Sequence, residues 1–302
     1  ILLMISAGFV LGRKNWFSGE TLSAMSRLVL QISIPAMLLS NITSTFTRED
    51  IIGMGSALLF PLMSITALYC VSFIVARIFR IPRERRGVFR AQFAFSNTVF
   101  VGVPVNIALF GEAAVPYVTM YYLVNTTLFW TVGVYFIRRD NIAERVPLFS
   151  RQTAGQIFSP TVVFFLISLS LVLCRVSIPA FIMSGLKYMA SLTTPLAIII
   201  IGAGVNSVGL KVLRCNRELV LVLLARFVCA PLLMFFLLQG AELPALMRKV
   251  FIITSGMPVM TQIALIAQAY GADHRSAGIT ATVTTAASLA VIPVYMLILG
   301  GP

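Results

Sequence analysis

About ten runs of apolar residues, each near the roughly 20 residues needed to cross a bilayer, follow one another along the chain. Hydrophobic residues make up 59% of the 302 residues, charged residues make up 11%, and the mean hydropathy is +0.96. A soluble domain of this length is far less apolar, so the sequence predicts an all-α polytopic membrane protein. The predicted spans are 1–11, 22–43, 51–79, 88–110, 113–137, 156–174, 184–207, 219–239, 247–270 and 277–299. The chain starts at Ile1 inside the first run, so we expect a few residues to precede it.

The net charge of +13 comes mainly from basic residues that lie between the apolar runs, on alternate sides. Sixteen lysines and arginines follow odd-numbered spans, and four follow even-numbered spans. Basic connections stay in the cytoplasm, so the asymmetry predicts a multi-pass protein of the cell (inner) membrane with both termini outside the cytoplasm. Because these residues set orientation, the charge does not indicate a nucleic-acid partner.

The longest polar connection divides the ten spans into two sets of five. The predicted units are a first repeat at 1–140, a cytoplasmic connection at 141–155 and a second repeat at 156–302. An odd number of spans per repeat inverts the second repeat in the membrane relative to the first. An offset of 160 residues relates Arg27 and Pro35 in the second span to Lys187 and Pro195 in the seventh.

The fourth apolar run contains the polar pair Asn97-Thr98 and the tripeptide Gly102-Val103-Pro104. Proline lacks the N–H that a helical turn needs, and glycine frees the backbone to leave helical angles. We therefore predict that the fourth helix breaks within the membrane, at Gly102 and Pro104. Unwound backbone at that depth must be enclosed by protein or wetted by a cavity, so a break indicates a binding site. The alternative is a proline kink without a ligand.

A second interruption, Ser255-Gly256-Met257-Pro258, lies in the ninth run. With a rise of about 1.5 Å per residue, the two breaks reach the same depth when their helices enter from opposite faces. The sequence therefore predicts that helices four and nine are broken, at Gly102 and Pro104 and at Gly256 and Pro258, and cross one another there.

Polar side chains near the two breaks are the candidate ligands of a solute. They are Asn97, Thr98 and Asn106 near the first break, Thr254, Ser255, Thr261 and Gln262 near the second, and Asn125, Thr126 and Thr127 in the fifth span. Amide and hydroxyl groups hold small polar solutes, and each half-helix N-terminus favours an anion such as a carboxylate. Each residue alone also fits an interhelical hydrogen bond.

Ionisable residues are scarce inside the predicted spans. All ten carboxylates lie at or beyond span ends, the one histidine, His274, lies in a loop, and the four cysteines are far apart. We therefore predict no metal site, no cofactor and no enzymatic function. Arg226 alone lies well inside a span, the eighth. It either attracts an anionic solute into a cavity, or it snorkels to the boundary or braces a helix end.

Several of these motifs resemble the auxin efflux carrier family, which includes bacterial members described as malate or malonate permeases. The most specific are Asn97-Thr98, Gly102-Val103-Pro104, Phe110-Gly111-Glu112 and Trp130. Arg27-Leu28-Val29 with Ile34-Pro35 is similar to the family's second span, and Met257-Pro258-Val259 with Tyr270-Gly271 to its ninth. The similarity covers nearly the whole chain. Only a short connection stands where many plant carriers have a long loop, which favours a compact bacterial-type member.

The resemblance implies a fold like that of the bile acid:sodium symporters. In that fold spans 1, 2, 6 and 7 form a scaffold, and spans 3–5 and 8–10 form a transport domain with crossed helices. Carried over to this sequence, Asn97, Pro104 and Pro258 would line the solute site, with Asn125 added by analogy.

Together these observations predict a secondary transporter of small organic anions, mono- or dicarboxylates such as malate or malonate, working by an elevator-type mechanism. The alternative is a membrane sensor that binds a carboxylate without moving it. A third reading, an intramembrane enzyme, is weak because no nucleophile has a base in the same apolar region. The predicted partners are the solute and the bilayer. The sequence leaves open the particular carboxylate, the direction, coupling to Na⁺ or H⁺, and a homodimer.

Overall fold

A computed structural model of the chain describes residues 2–140, 160–193, 195–196, 199–200, 203 and 216–298. The α-helices are α1 (Leu2–Arg13), α2 (Gly19–Leu28), α3 (Ile34–Thr45), α4 (Arg48–Met54), α5 (Leu59–Ile78), α6 (Arg86–Ala94), α7 (Val103–Phe110), α8 (Val115–Leu128), α9 (Val134–Asp140), α10 (Pro160–Leu173), α11 (Ala180–Ser191), α12 (Arg217–Leu224), α13 (Ala230–Leu237), α14 (Ala245–Ser255), α15 (Gln262–Ala269) and α16 (His274–Ile298). Each predicted span overlaps at least one of them. The predicted connection at 141–155 lies outside the described residues.

Three helical stretches of the described chain are long and apolar enough to cross a membrane: Gly55–Ile78, Arg217–Leu237 and His274–Tyr295. Thr98–Phe110 and Val163–Leu173 are apolar but shorter. The all-helical class predicted from composition is confirmed. The count of ten spans, their inversion and the division into domains stay predictions.

Four π-helical turns within the described residues join successive α-helices. They are Val29–Ser33, Thr98–Gly102, Phe129–Gly133 and Ala225–Cys229. Three of these turns are followed, two residues later, by a proline; the prolines are Pro35, Pro104 and Pro231. A proline ring crowds the carbonyl four residues back, and the wider π turn relieves that clash. Helices therefore continue through these prolines.

The helices pack in two groups. In one group, α3 packs against both α10 and α11. In the other, α5, α6, α8 and α9 pack among themselves and against helices from α12 to α16. The groups meet where α3 contacts α8, and α10 also contacts α4, the helix that precedes α5.

Gly87 allows α6 to lie directly against α9. A Cβ atom at this position would stand 2.2 Å from the Phe136 carbonyl oxygen and 2.7 Å from the Ile137 nitrogen. We expect Gly87→Ala to lower the melting temperature of the purified protein by about 5–10 °C. The added methyl group would clash with the backbone of α9, which cannot rotate away as a side chain could. Gly185→Ala in α11 is the matched control, since no atom of the described residues lies within 4 Å of its Cβ position. Equal melting of both variants would contradict this close packing.

Candidate functional site

The first interruption separates α6 from the π turn Thr98–Gly102. α6 ends at Ala94, Phe95 is extended (φ −93°, ψ 129°), and helical backbone resumes at Thr98. The break therefore lies at 95–97, upstream of Gly102 and Pro104, which are both helical. The prediction that Gly102 and Pro104 mark the break is corrected accordingly. The π turn accommodates the proline ring, so these two residues lie inside the second half-helix instead of ending the first.

The second interruption lies between the end of α14 at Ser255 and the start of α15 at Gln262. Gly256 and Pro258 both fall inside it, as the sequence predicted. A Cβ atom on Gly256 would lie 2.8 Å from the ring of Tyr295, whose hydroxyl donates to the Phe227 carbonyl at 2.5 Å. Glycine is therefore the residue that lets α16 approach this break.

The two interruptions lie against each other and pair as a short antiparallel bridge centred on Ser96 and Val259. The Asn97 N–H donates to the Pro258 carbonyl at 2.8 Å, and the Met260 N–H donates to the Phe95 carbonyl at 3.3 Å. All of these residues are buried. Their mutual hydrogen bonds replace those that a continuous helix would supply, which buried backbone requires. Residues 95–97 and 258–260 are called the crossing point below.

Side chains from two other helices hold the crossing point in place. Asn125 of α8 accepts from the Ser96 N–H at 3.2 Å and donates to the Ser96 carbonyl at 3.0 Å. Thr284 of α16 accepts from the Val259 N–H at 3.1 Å. Each member of the central pair is thus bonded by a side chain from the helix that follows its own interrupted helix. Asn125 and Thr284 are both fully buried.

Asn97 caps the helix that resumes after the first interruption. Its side-chain oxygen accepts from the Phe100 N–H at 3.2 Å, which satisfies one of the free N–H groups of the first turn. Its side-chain nitrogen has no hydrogen-bond partner among the residues that the structure describes. Asn97 is 4% exposed. It therefore presents an amide donor at a positively polarised helix end.

Several buried polar atoms in the interrupted helix and in α8 lack a hydrogen-bond partner within the described ranges. They include the Thr98 hydroxyl, the Asn106 side-chain oxygen and the Thr126 hydroxyl. Asn106 uses its amide nitrogen to donate to the Gly102 carbonyl at 2.8 Å and to the Thr254 hydroxyl at 3.1 Å. Buried polar atoms are nearly always paired, so unpaired ones are typical of a place where a polar ligand or water binds.

Arg226, in the π turn between α12 and α13, is fully buried at the crossing point. Its guanidinium donates to the carbonyls of Ala94 at 2.9 Å, Ser255 at 2.5 Å and Met257 at 3.0 and 3.1 Å. Of the two roles that the sequence left open, these contacts correspond to bracing helix ends. A role for Arg226 in attracting a solute stays a prediction.

The other predicted site residues differ in burial. Pro104 is buried in the first turn of α7, and Pro258 is buried with its carbonyl bonded to Asn97. Thr261 is exposed and Gln262 is half-buried, immediately before and at the start of α15. The structure thus brings Asn97, Pro258, Arg226 and Asn125 to the crossing point, whereas Thr261 and Gln262 mark a second helix start beside it.

Sequence reasoning missed Ser96, Thr284 and Tyr295. Thr284 and Tyr295 both lie in the last predicted span, 277–299, in which the sequence indicated no site residue. The hydroxyl-rich run around Thr284 was the available signal, since Thr284 Oγ1 accepts from the Val259 N–H in the second interruption. Tyr295 gave no such signal, because an aromatic residue near a span end is common.

A separate apolar cavity of about 210 Å³ lies between the two packing groups. Its lining includes Ile42 of α3, Met120 of α8 and Phe165 of α10, and it is almost wholly apolar. Such a surface cannot satisfy a carboxylate. The polar residues at the crossing point are the better candidates for a charged solute.

Apolar helices, two of them interrupted and joined at a buried polar crossing, define this chain as a membrane-embedded protein of the transporter class. The chain belongs to the membrane transport protein family, whose sequence profile matches residues 1–296. The resemblance to auxin efflux carriers inferred from the motifs is thereby confirmed.

Two relatives align over almost the whole chain. An uncharacterized transporter of Methanocaldococcus jannaschii is 24% identical over 98% of this chain and 95% of its own length. A "Putative malonate transporter" of Rhizobium meliloti is 22% identical over 96% of this chain and 90% of its own length.

Proposed function

We propose that this chain is a secondary carrier of small organic anions, with dicarboxylates of the size of malonate or malate as the solute class. The observation that carries the proposal is the buried Thr98 hydroxyl, which lacks a protein partner within the described residues and stands in the first turn of a half-helix. Asn97, the residue before Thr98, adds a side-chain nitrogen that has no hydrogen-bond partner among the described residues. A helix N-terminus with two such donors suits a carboxylate, which accepts several hydrogen bonds.

The dicarboxylate class is supported by the relative named for malonate. A second carboxylate requires a second set of donors. The start of α15, with Thr261 and Gln262, supplies another helix N-terminus beside the crossing point. In this proposal each carboxylate of the solute lies at one half-helix, and Asn106 and Asn125 position the backbone around it.

The proposed architecture is ten spans in two inverted repeats, with crossed helices four and nine. The matching roles of Asn125 and Thr284 support it, since each bonds one residue of the central Ser96–Val259 pair. These two residues are 159 positions apart, close to the 160-residue offset of the sequence repeat. By charge asymmetry both termini face away from the cytoplasm, in the inner membrane.

Transport would proceed by an elevator-type movement of the group that contains the crossing point. The group of α3, α10 and α11 would be the scaffold. The apolar cavity between the groups supports this division, because an incompletely filled apolar interface resists sliding less than an interlocked one.

The test is uptake of radiolabelled malonate into proteoliposomes that contain the purified protein. We expect saturable, protein-dependent accumulation that unlabelled malonate blocks and the uncharged analogue malonamide does not. Malonate-dependent thermal stabilisation without uptake would favour the sensor alternative. If no small mono- or dicarboxylate stabilises the protein or is taken up, the proposed solute class is refuted.

Thr98→Val tests the proposed carboxylate contact without disturbing the fold. Valine keeps the shape of threonine and removes a hydroxyl that has no partner among the described residues, so the melting temperature should not fall. We expect the half-saturating malonate concentration to rise about tenfold or more, since a hydrogen bond to a charged group is lost. Thr282→Val in α16 is the control, because the one partner of that hydroxyl in the described chain is the Gly278 carbonyl of its own helix. An unchanged half-saturating concentration would remove Thr98 from the site.

A further inference from the structure

Two half-helices end at the crossing point, and their free carbonyls converge there. α6 ends at Ala94 and α14 ends at Ser255. The last carbonyls of a helix have no partner within the helix and carry a partial negative charge. Two such ends at one buried position produce a negative potential that favours a bound cation.

Arg226 supplies that cation from a third helix. Its Nη1 group donates to Ala94, its Nη2 group to Ser255 and Met257, and its Nε group to Met257 again. A guanidinium has five N–H groups, and these contacts use four of them on three carbonyl oxygens. The two interruptions are thereby tied to one rigid, planar group.

No carboxylate balances the charge of Arg226 within the described ranges. The ion pairs there join Arg85 to Glu218 and Asp273, and Arg175 to Glu49. A buried arginine without partners would be strongly unfavourable, so the carbonyl oxygens must stabilise it. The charge and the carbonyl cage are therefore mutually required.

A cage of carbonyls from unwound backbone and half-helix C-terminal ends is also how carriers with interrupted helices bind Na⁺. We propose that the Arg226 guanidinium is a resident, covalently tethered cation in such a cage. It holds the crossing point together without a dissociable ion, and truncation of its side chain leaves an empty site for a small monovalent cation. The consequence that transport needs no Na⁺ at this place rests on the proposed function, whereas the cation cage itself does not.

The test is thermal melting of the purified protein at constant ionic strength, with choline chloride replaced stepwise by NaCl or by millimolar guanidinium chloride. The wild type should melt at the same temperature in NaCl and in choline chloride. Arg226→Ala should melt about 10 °C lower in choline chloride, and guanidinium should restore part of that loss in a saturable manner. Arg226→Lys should melt between the two, because an ammonium keeps the charge but has fewer donors.

Arg175→Ala is the matched control. Arg175 is exposed and pairs only weakly with Glu49, so its removal should neither lower the melting temperature nor produce guanidinium rescue. If Arg226→Ala can be isolated folded only in the presence of guanidinium, that dependence supports the proposal.

Three outcomes would overturn it. A saturable rise of the wild-type melting temperature with Na⁺ would show that a dissociable ion binds and stabilises the wild-type protein. Melting of Arg226→Ala at the wild-type temperature would show that the cage needs no cation. The third outcome has two parts. Guanidinium neither stabilises Arg226→Ala nor allows it to be isolated folded, and Arg226→Lys either melts no higher than Arg226→Ala or cannot be isolated folded either. That result would show that the shape of the arginine side chain matters and its charge does not. None of these readouts uses a solute, so they remain decisive if malonate uptake is not observed.

Discussion

Asn97→Ala is expected to abolish malonate uptake into proteoliposomes while leaving the protein folded. Alanine removes the amide nitrogen that faces no protein partner within the described chain, and it also removes the oxygen that caps the half-helix at Phe100. The first loss takes away the proposed solute donor. The second costs about 1 kcal/mol of stability, which lowers the melting temperature by only a few degrees. Initial uptake rates per amount of reconstituted protein measure the effect.

Two variants separate these losses. Asn97→Ser keeps an oxygen able to cap the helix but loses the amide donor, so it should melt near the wild-type temperature and still transport poorly. Asn216→Ala removes an equivalent asparagine cap, bonded to the Leu219 N–H at 2.8 Å, at the start of α12. It should lose similar stability and transport normally. Normal uptake by Asn97→Ser would show that the amide nitrogen does not bind the solute.

The positions of the interruptions illustrate what sequence can predict. Glycine and proline mark where a helix loses local support, and this sufficed for Gly256 and Pro258. The same reasoning placed the first break at Gly102 and Pro104, downstream of its position at 95–97. A π turn accommodates Pro104 within the helix. Asn125, 29 residues beyond Ser96, stabilises the extended backbone upstream by hydrogen bonds to the Ser96 N–H and carbonyl. Non-local hydrogen bonds of this kind leave no signal in the local pattern.

Arg226 shows the same limit in electrostatic terms. The sequence shows that a buried charge must be compensated, but it does not identify the compensating groups. These are backbone carbonyls at Ala94, 132 positions away, and at Ser255 and Met257. Every residue has a carbonyl, so composition and motif searches cannot single these out. The all-helical class followed from hydropathy alone, because a long apolar run admits few other structures.

Asn125→Ala is expected to cause the largest loss of stability among substitutions that remove no charge at the crossing point. Asn125 satisfies both the N–H and the carbonyl of Ser96, at 3.2 and 3.0 Å, and all of these groups are buried. Removing one partner from a buried hydrogen bond costs about 1–3 kcal/mol, so two together should lower the melting temperature by about 5–15 °C. Thermal melting of the purified variant, compared with the wild type in the same detergent, measures this.

Asn125→Leu distinguishes lost hydrogen bonds from lost volume. Leucine fills the space of asparagine but cannot pair with Ser96, so it should melt as low as Asn125→Ala if hydrogen bonding matters. Thr127→Ala is the neighbouring control in α8, because within the described ranges its hydroxyl donates only to the Leu123 carbonyl of the same helix, at 2.8 Å. It should melt within a few degrees of the wild type. Recovery of stability by Asn125→Leu would mean that packing, and not the paired hydrogen bonds, holds Ser96 in its extended conformation.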